Sequence, residues 1–153
     1  MIVISDTSPI TALLAIGKQD LLRLLFAEVL IPRAVHSELL RAHTALPDWL
    51  RVSEVHDVAH VERLLESLDR GESEAIVLAE ELHADMLLID ERKGRQIAAM
   101  EGLRVIGLVG AILLAKRRGL IDAVAPVLRQ LADDAGMYLS DALVRDALAS
   151  VGE

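Results

Sequence analysis

Short apolar, β-branched runs alternate along this chain with longer stretches whose apolar residues recur every three or four positions. The runs Ile2–Ser5, Glu28–Ile31, Met86–Ile89 and Arg104–Ile106 have the length and make-up of buried strands. Between them the spacing predicts helices. Ser8 followed by Pro9 is a helix start, with Ser8 as cap and the proline at the first helical position, and Gly17 ends that helix. Pro32 opens a second helix, which runs to about Arg41. A short element around Pro47–Leu50 precedes an edge strand over Arg51–Val55, and Val58–Ser67 is helical. Asp69-Arg70-Gly71-Glu72 matches a capping box ahead of the apolar helix Ala75–Leu82. Further helices are expected over Arg92–Glu101, Leu108–Arg118, Asp122–Asp133 and Ser140–Ser150. Strands alternating with helices imply a parallel sheet covered on both faces, the α/β class. No repeat, low-complexity tract or linker interrupts the pattern, so a single domain over residues 1–153 is expected.

Composition narrows the picture. With 153 residues and 53% hydrophobic content, the chain can bury a core and is not a disordered tail. Aromatics are only 2%, which leaves that core to Leu, Ile, Val and Ala. The absence of cysteine removes disulfides and thiolate metal sites and suits a reducing compartment. The longest unbroken apolar run, Val105–Ala115, has eleven residues and two glycines. A membrane-spanning helix needs about 20. No cationic start precedes the first apolar run, which Asp6 interrupts, so no signal peptide is expected. The expected location is the cytoplasm, with no membrane partner.

The net charge of −8 argues against simple non-specific binding to nucleic acid, but the charge is unevenly spread. Between Glu91 and Gly119 seven basic residues stand against two acidic ones. A positive side on an acidic molecule can hold a phosphate backbone; a solvated face gives the same pattern.

Ligands of open parallel sheets bind outside the carboxyl ends of the strands. Asp6 sits at such an end after IVIS, and Asp90 after MLLI. Capping would explain either, though for Asp6 the Ser8-Pro9 start already supplies a cap. Glu38, in IPRAVHSELL, falls beside the apolar stripe of its helix, where it could pair with Arg41. In DRGESEAIVLAEEL, Glu72 has the capping box as explanation, whereas Glu74 has none and stands in the first turn. Two residues apart on a helix point in widely different directions, so the choice between them stays open. Carboxylates gathered above a sheet repel one another unless cations sit among them, and all-oxygen ligands favour Mg²⁺ or Mn²⁺ over zinc. The five histidines show no ligand spacing and are expected at the surface. Gly107 and Gly110 are expected to permit close packing of helix on sheet.

The segments IVISDTSPITAL, IPRAVHSELL, GESEAIVLAEEL, LLIDERKGRQIAAMEGLRVIGLVGAILLAKRRGLI and MYLSDALVRDALASVGE resemble, in this order, a PIN domain of the VapC-like prokaryotic branch. The resemblance spans nearly the whole chain. It implies a three-layer α/β/α fold with a central parallel sheet and a Mg²⁺- or Mn²⁺-dependent ribonuclease site. Asp6 matches the family's first acid, supported by Thr7 and Ser8, and Glu38 matches the second. EAIVLA aligns Glu74 with the third acid better than Glu72, with Glu standing where many relatives have Asp. Asp90 takes the fourth position, with Glu91 as competitor. The resemblance further implies hydrolysis of RNA to 5′-phosphate and 3′-hydroxyl ends, an antitoxin protein as partner, and a homodimer formed through the apolar C-terminal helices. Arg92, Lys93 and Arg95 follow Asp90 and are expected to contact the RNA backbone. A PIN-fold module that binds nucleic acid or protein without cutting is the alternative. Phosphatase and phosphoacceptor readings of Asp6 lack their partner acids: Ser8 stands where a dehalogenase-type phosphatase has its second aspartate.

Overall fold

The computed structural model describes residues 1–153. Its elements in chain order are β1 (Ile2–Ser5), α1 (Thr7–Ala15), α2 (Asp20–Leu25), β2 (Glu28–Pro32), α3 (Arg33–Ala42), β3 (Leu50–Ser53) and α4 (Val58–Leu64). They continue with α5 (Arg70–Glu81), β4 (Met86–Leu88), α6 (Arg92–Met100), β5 (Val105–Ile106), α7 (Leu108–Arg117), α8 (Ala125–Asp133) and α9 (Asp141–Ser150). The five strands form one sheet in the order β3-β2-β1-β4-β5, every pair parallel. From β1 the chain winds outward through β2 and β3, then returns to the other side of β1 for β4 and β5. The switch in winding direction therefore falls between β1 and β4.

Alternation along the central strands feeds two separate cores. Val3, Val29, Ile31 and Leu88 face one side, packed with Leu13 of α1, Leu22 of α2, Ile112 of α7 and Leu128 of α8. Ile4, Leu87 and Ile89 face the other, with Val61 of α4, Ile76 of α5 and Ala98 of α6. Successive strand side chains point to opposite faces, so β1 and β4 are apolar at every position but the buried Ser5, because both faces are covered. The result is the expected three-layer α/β/α arrangement.

Two local expectations need correction, and one helix is additional to those expected. Helix α1 starts at Thr7, with Asp6 rather than Ser8 at the cap position, and neither side chain makes a capping bond. Pro9 then lies in the first turn, where a missing N–H costs nothing because that N–H has no helical partner. Helix α2, in DLLRLL, carries no clear period and was invisible as a helix, yet Leu21, Leu22 and Leu25 are buried. Of the two glycines ahead of and within α7, only Gly110 has an apolar neighbour, Ile106. A Cβ on Gly107 would instead lie 2.7 Å from Arg95 Nη1 and 3.0 Å from Asp90 Oδ1. Gly107 makes room for polar groups.

Candidate functional site

The strand ends on either side of the switch point carry Asp6 and Asp90. The Asp6 N–H donates to Leu88 O at 2.9 Å, which ties the end of β1 to β4. Asp90 Oδ1 accepts the Leu108 N–H at 2.7 Å, so Asp90 caps α7, a helix 18 positions further along the chain. Glu38 arrives from α3, where its Oε2 accepts the Thr7 hydroxyl at 2.6 Å. Its other oxygen lies against the start of α5: a Cβ on Gly71 would come within 2.6 Å of Glu38 Oε1. Only glycine leaves that approach open. The capping box forms as the sequence predicts, Asp69 Oδ1 accepting the Glu72 N–H at 2.8 Å. Glu91, in turn, caps α6 by accepting the Gly94 N–H at 2.8 Å.

These pieces enclose a cavity of about 560 Å³ lined by Asp6, Glu38, Asp69, Glu72, Asp90 and Glu91 together with Thr7, Ser8, Thr11, Ala12, Ala135 and Met137. Six carboxylates meet there without one lysine, arginine or histidine in the lining. Asp6 and Glu72 are buried, 7% and 8% exposed. Burial pushes the Asp6 carboxyl up to about 7, helped by the charges of Asp69, Glu38 and Asp90; the Thr7 N–H offsets part of the rise. Burial likewise lifts Glu72 to about 7, with Asp69, Asp6 and Glu91 adding to it. Asp90 is raised by burial, against the Leu108 N–H and the Arg95 charge. The donor set is oxygen only, which fits a hard divalent cation of the Mg²⁺ or Mn²⁺ type and not zinc.

Four of the six lining acids are among those weighed from the sequence as ligands or supports: Asp6, Glu38, Glu72 and Asp90. Glu91, the competitor to Asp90, is also present, and Thr7 and Ser8 line the cavity as well. Glu74 is not brought to it. Its Oε1 accepts the Ala34 N–H at 3.1 Å, at the start of α3, and Oε2 lies 3.7 Å from Arg70. Residues two apart on a helix are turned by roughly 200°, so with Glu72 facing the cavity Glu74 must face elsewhere. Asp69 was missed as a lining acid. The signal was there: at i and i+3, Asp69 and Glu72 share a side of the α5 entry.

A second cluster lies at the other end of the same helices. His60 of α4 places Nδ1 3.1 Å from Glu80 Oε2 and Nε2 2.8 Å from Glu101 Oε1. The His60 side chain is only 15% exposed, which corrects its expected surface position. The three residues offer ligand atoms within 4.8 Å of one another, close enough for one metal ion. Glu80 is raised to about 7 by burial and by its hydrogen bond with Glu101, while the charge of His60 lowers it. It stands eight residues along α5 from Glu72, about 12 Å away at 1.5 Å per residue.

Among the basic residues after Asp90, Arg95 donates to Ile89 O at 3.0 Å, and Arg92 and Lys93 are exposed. The apolar C-terminal residues mostly fold back: Ala147 is buried, and Leu139, Val144, Leu148 and Val151 pack on the larger core. Leu143 stays 44% exposed. No helix is long and apolar enough to cross a membrane.

A family model described as a PIN domain matches residues 2–153, while no curated protein matches the chain. PIN domains share a nuclease-type fold and are generally dependent on divalent metal. With the match running over all but the first residue, and with the sheet and its layers as found, the chain belongs to the PIN domain family.

Proposed function

We propose that this protein is a metal-dependent endoribonuclease, and that it serves as the toxin half of a toxin–antitoxin pair. The observation that carries the nuclease reading is the cavity of six carboxylates with no internal counter-charge, placed at the switch point of a parallel sheet. The toxin assignment is supported by the likeness of the chain's segments to the VapC-like branch. Asp6, Glu38, Glu72 and Asp90 would hold Mg²⁺ or Mn²⁺, with Asp69 and Glu91 at the rim. Glu72 takes the place that the family resemblance gave to Glu74. Such an ion, once bound, supplies Lewis acidity at a phosphodiester oxygen and lowers the pKa of a water in line with phosphorus.

The chain's own residues prepare the geometry. Thr7 fixes one oxygen of Glu38, the α7 N-terminus fixes one oxygen of Asp90, and Gly71 keeps the path of Glu38 clear. Each acid is thereby left with an oxygen free while its orientation is set. Ala135 and Met137 form an apolar part of the wall, which limits water on that side. Products would be a 5′-phosphate and a 3′-hydroxyl. Cleavage of a defined RNA in Mn²⁺, abolished by EDTA and by Asp6→Asn, is the expected result; cutting that survives both changes sinks the proposal.

A PIN module that binds without cutting is the second reading. It is favoured by the commitment of Asp90 Oδ1 and Glu91 Oε2 to helix N-termini, which lowers the number of free ligand oxygens. Manganese binding by calorimetry without RNA cleavage would decide for it.

A further inference from the structure

The ladder between β4 and β5 breaks off one bond short of the acid cavity. The Leu87 N–H donates to Arg104 O at 2.8 Å and the Ile89 N–H to Ile106 O at 3.0 Å. With Leu87 opposite Val105 and Leu88 opposite Ile106, the next bond of a parallel ladder would run from the Leu108 N–H to Ile89 O. That bond is not made. The Leu108 N–H donates to Asp90 Oδ1 at 2.7 Å, and Ile89 O accepts Arg95 Nη1 at 3.0 Å. One backbone bond is exchanged for two side-chain bonds, with the Asp90 carboxylate in place of the carbonyl and the Arg95 guanidinium in place of the amide. Helical side chains tilt toward the helix N-terminus, so Arg95, one turn into α6, reaches back to the end of β4. Gly107 leaves space for both groups. Its φ of −92° suits any residue, but a Cβ there would lie 2.7 Å from Arg95 Nη1 and 3.0 Å from Asp90 Oδ1.

We propose that Arg95 is a positioning residue: by occupying Ile89 O it keeps the Leu108 N–H on Asp90, and so holds the Asp90 carboxylate in the acid cavity in the orientation a metal ion needs. The inference rests on the nuclease reading above and deepens it, adding a residue that touches neither metal nor substrate. Ile89 is fully buried, and a buried carbonyl without a donor is costly. Without Arg95, the donor nearest at hand for Ile89 O is the Leu108 N–H. Its return would close the ladder by one more bond and leave Asp90 free to turn. Arg95 therefore has a different task from the exposed Arg92 and Lys93 beside it. A guanidinium so close to the cavity also screens the acids, and the two roles have opposite signs. As a screen, Arg95 opposes uptake of a divalent cation, and its removal would strengthen binding. As a positioning residue it favours uptake, and its removal weakens binding.

The test combines calorimetric titration of Mn²⁺ into the full chain with NMR of the metal-free protein. Arg95→Met, long and without a donor, should bind Mn²⁺ about 10-fold more weakly than wild type. Its spectrum should gain a trans-hydrogen-bond coupling between the Leu108 nitrogen and the Ile89 carbonyl carbon, which wild type lacks. One bond replaces another, so Tm should stay within about 3 °C. Arg95→Lys keeps a donor and the charge, and should bind within about threefold of wild type without the new coupling. Gly107→Ala, which crowds both groups, should weaken Mn²⁺ binding in the same direction as Arg95→Met. Should Arg95→Met prove too unstable to titrate, the Lys and Gly107 variants decide: equal affinity in Gly107→Ala and wild type overturns the inference. An unchanged or tighter isotherm in Arg95→Met, with manganese uptake and cleavage intact in wild type, overturns this inference alone and leaves Arg95 as a screen. A wild-type protein that takes up no manganese overturns the nuclease reading and this inference with it.

Discussion

Two acidic clusters terminate the same pair of helices and resolve the same difficulty in opposite ways. At the N-terminal ends of α5 and α6, Asp6 and Glu72 are each pushed up to about 7 in a cavity that holds no basic side chain. At the other end, Glu80 is also raised to about 7, but His60 lies between it and Glu101 and contacts both. Burying like charges is costly unless a counter-charge or a shared proton relieves them. The second cluster carries its relief within the sequence, as an imidazole and a carboxyl–carboxylate hydrogen bond. The first has only the Leu108 N–H and the Arg95 charge acting on Asp90, with nothing basic in its lining, and so depends for the rest on something from outside. On the function proposed above, that difference separates a structural clasp between three helices from a site built for a cation.

The sharpest way to break this comparison is to remove one acid from each cluster and titrate manganese. Asp6→Asn should abolish the calorimetric signal and lower RNA cleavage by about 100-fold or more, while Glu101→Gln leaves the isotherm unchanged. The reverse pattern would move the metal to the His60 cluster, whose ligand atoms are also within reach of one ion.

A smaller effect is expected where the cavity is shaped without being charged. Gly71→Ala places a methyl 2.6 Å from Glu38 Oε1, the far end of a flexible side chain that can swing aside. The fold should keep its stability, or gain up to about 1 kcal/mol from better helix propensity, while metal affinity drops about 10-fold. Thr7→Val removes the hydroxyl that orients Glu38 and should act in the same direction. If Gly71→Ala leaves manganese affinity untouched, Glu38 is not a ligand.

Glu72 and Glu74 provide the next discrimination. Glu72→Gln should weaken manganese binding by about 10-fold or more. Glu74→Ala should leave cleavage within about twofold and cost about 1 kcal/mol of stability, through loss of its bond to the Ala34 N–H. Equal losses of activity in the two variants would contradict the orientation of α5.

The mildest prediction concerns pH. Glu80 has a folded-state pKa of about 7 against a usual 4.5, so the folded chain holds this proton more tightly than the unfolded one. Its contribution to stability is complete below about pH 4.5 and is lost as pH rises through about 7. Asp6 and Glu72 have the same sign. The Tm of metal-free protein should therefore fall between pH 5 and pH 8. The fall should be shallower in Glu80→Gln, and manganese should restore Tm more at pH 8 than at pH 5. Parallel curves for Glu80→Gln and wild type would remove Glu80 from the account.

By itself the sequence determined the strands, most of the helices and the acids that end β1 and β4, because these depend on local period and on the position of a residue within its own element. Glu38 beside an apolar stripe and the box in DRGE were legible for the same reason. What only the tertiary structure decided was direction. The roll of α5 on the sheet turned Glu72 and Asp69 inward and sent Glu74 to the start of α3. The arrival of α7 beside β4 made Asp90 its cap and left the helix after Asp90 to be capped by Glu91. The packing of α4 on α5 and α6 took His60 from the surface and placed it between two glutamates. Each of these outcomes is a contact between elements, set by how whole apolar faces fit together, and no local spacing along the chain encodes it.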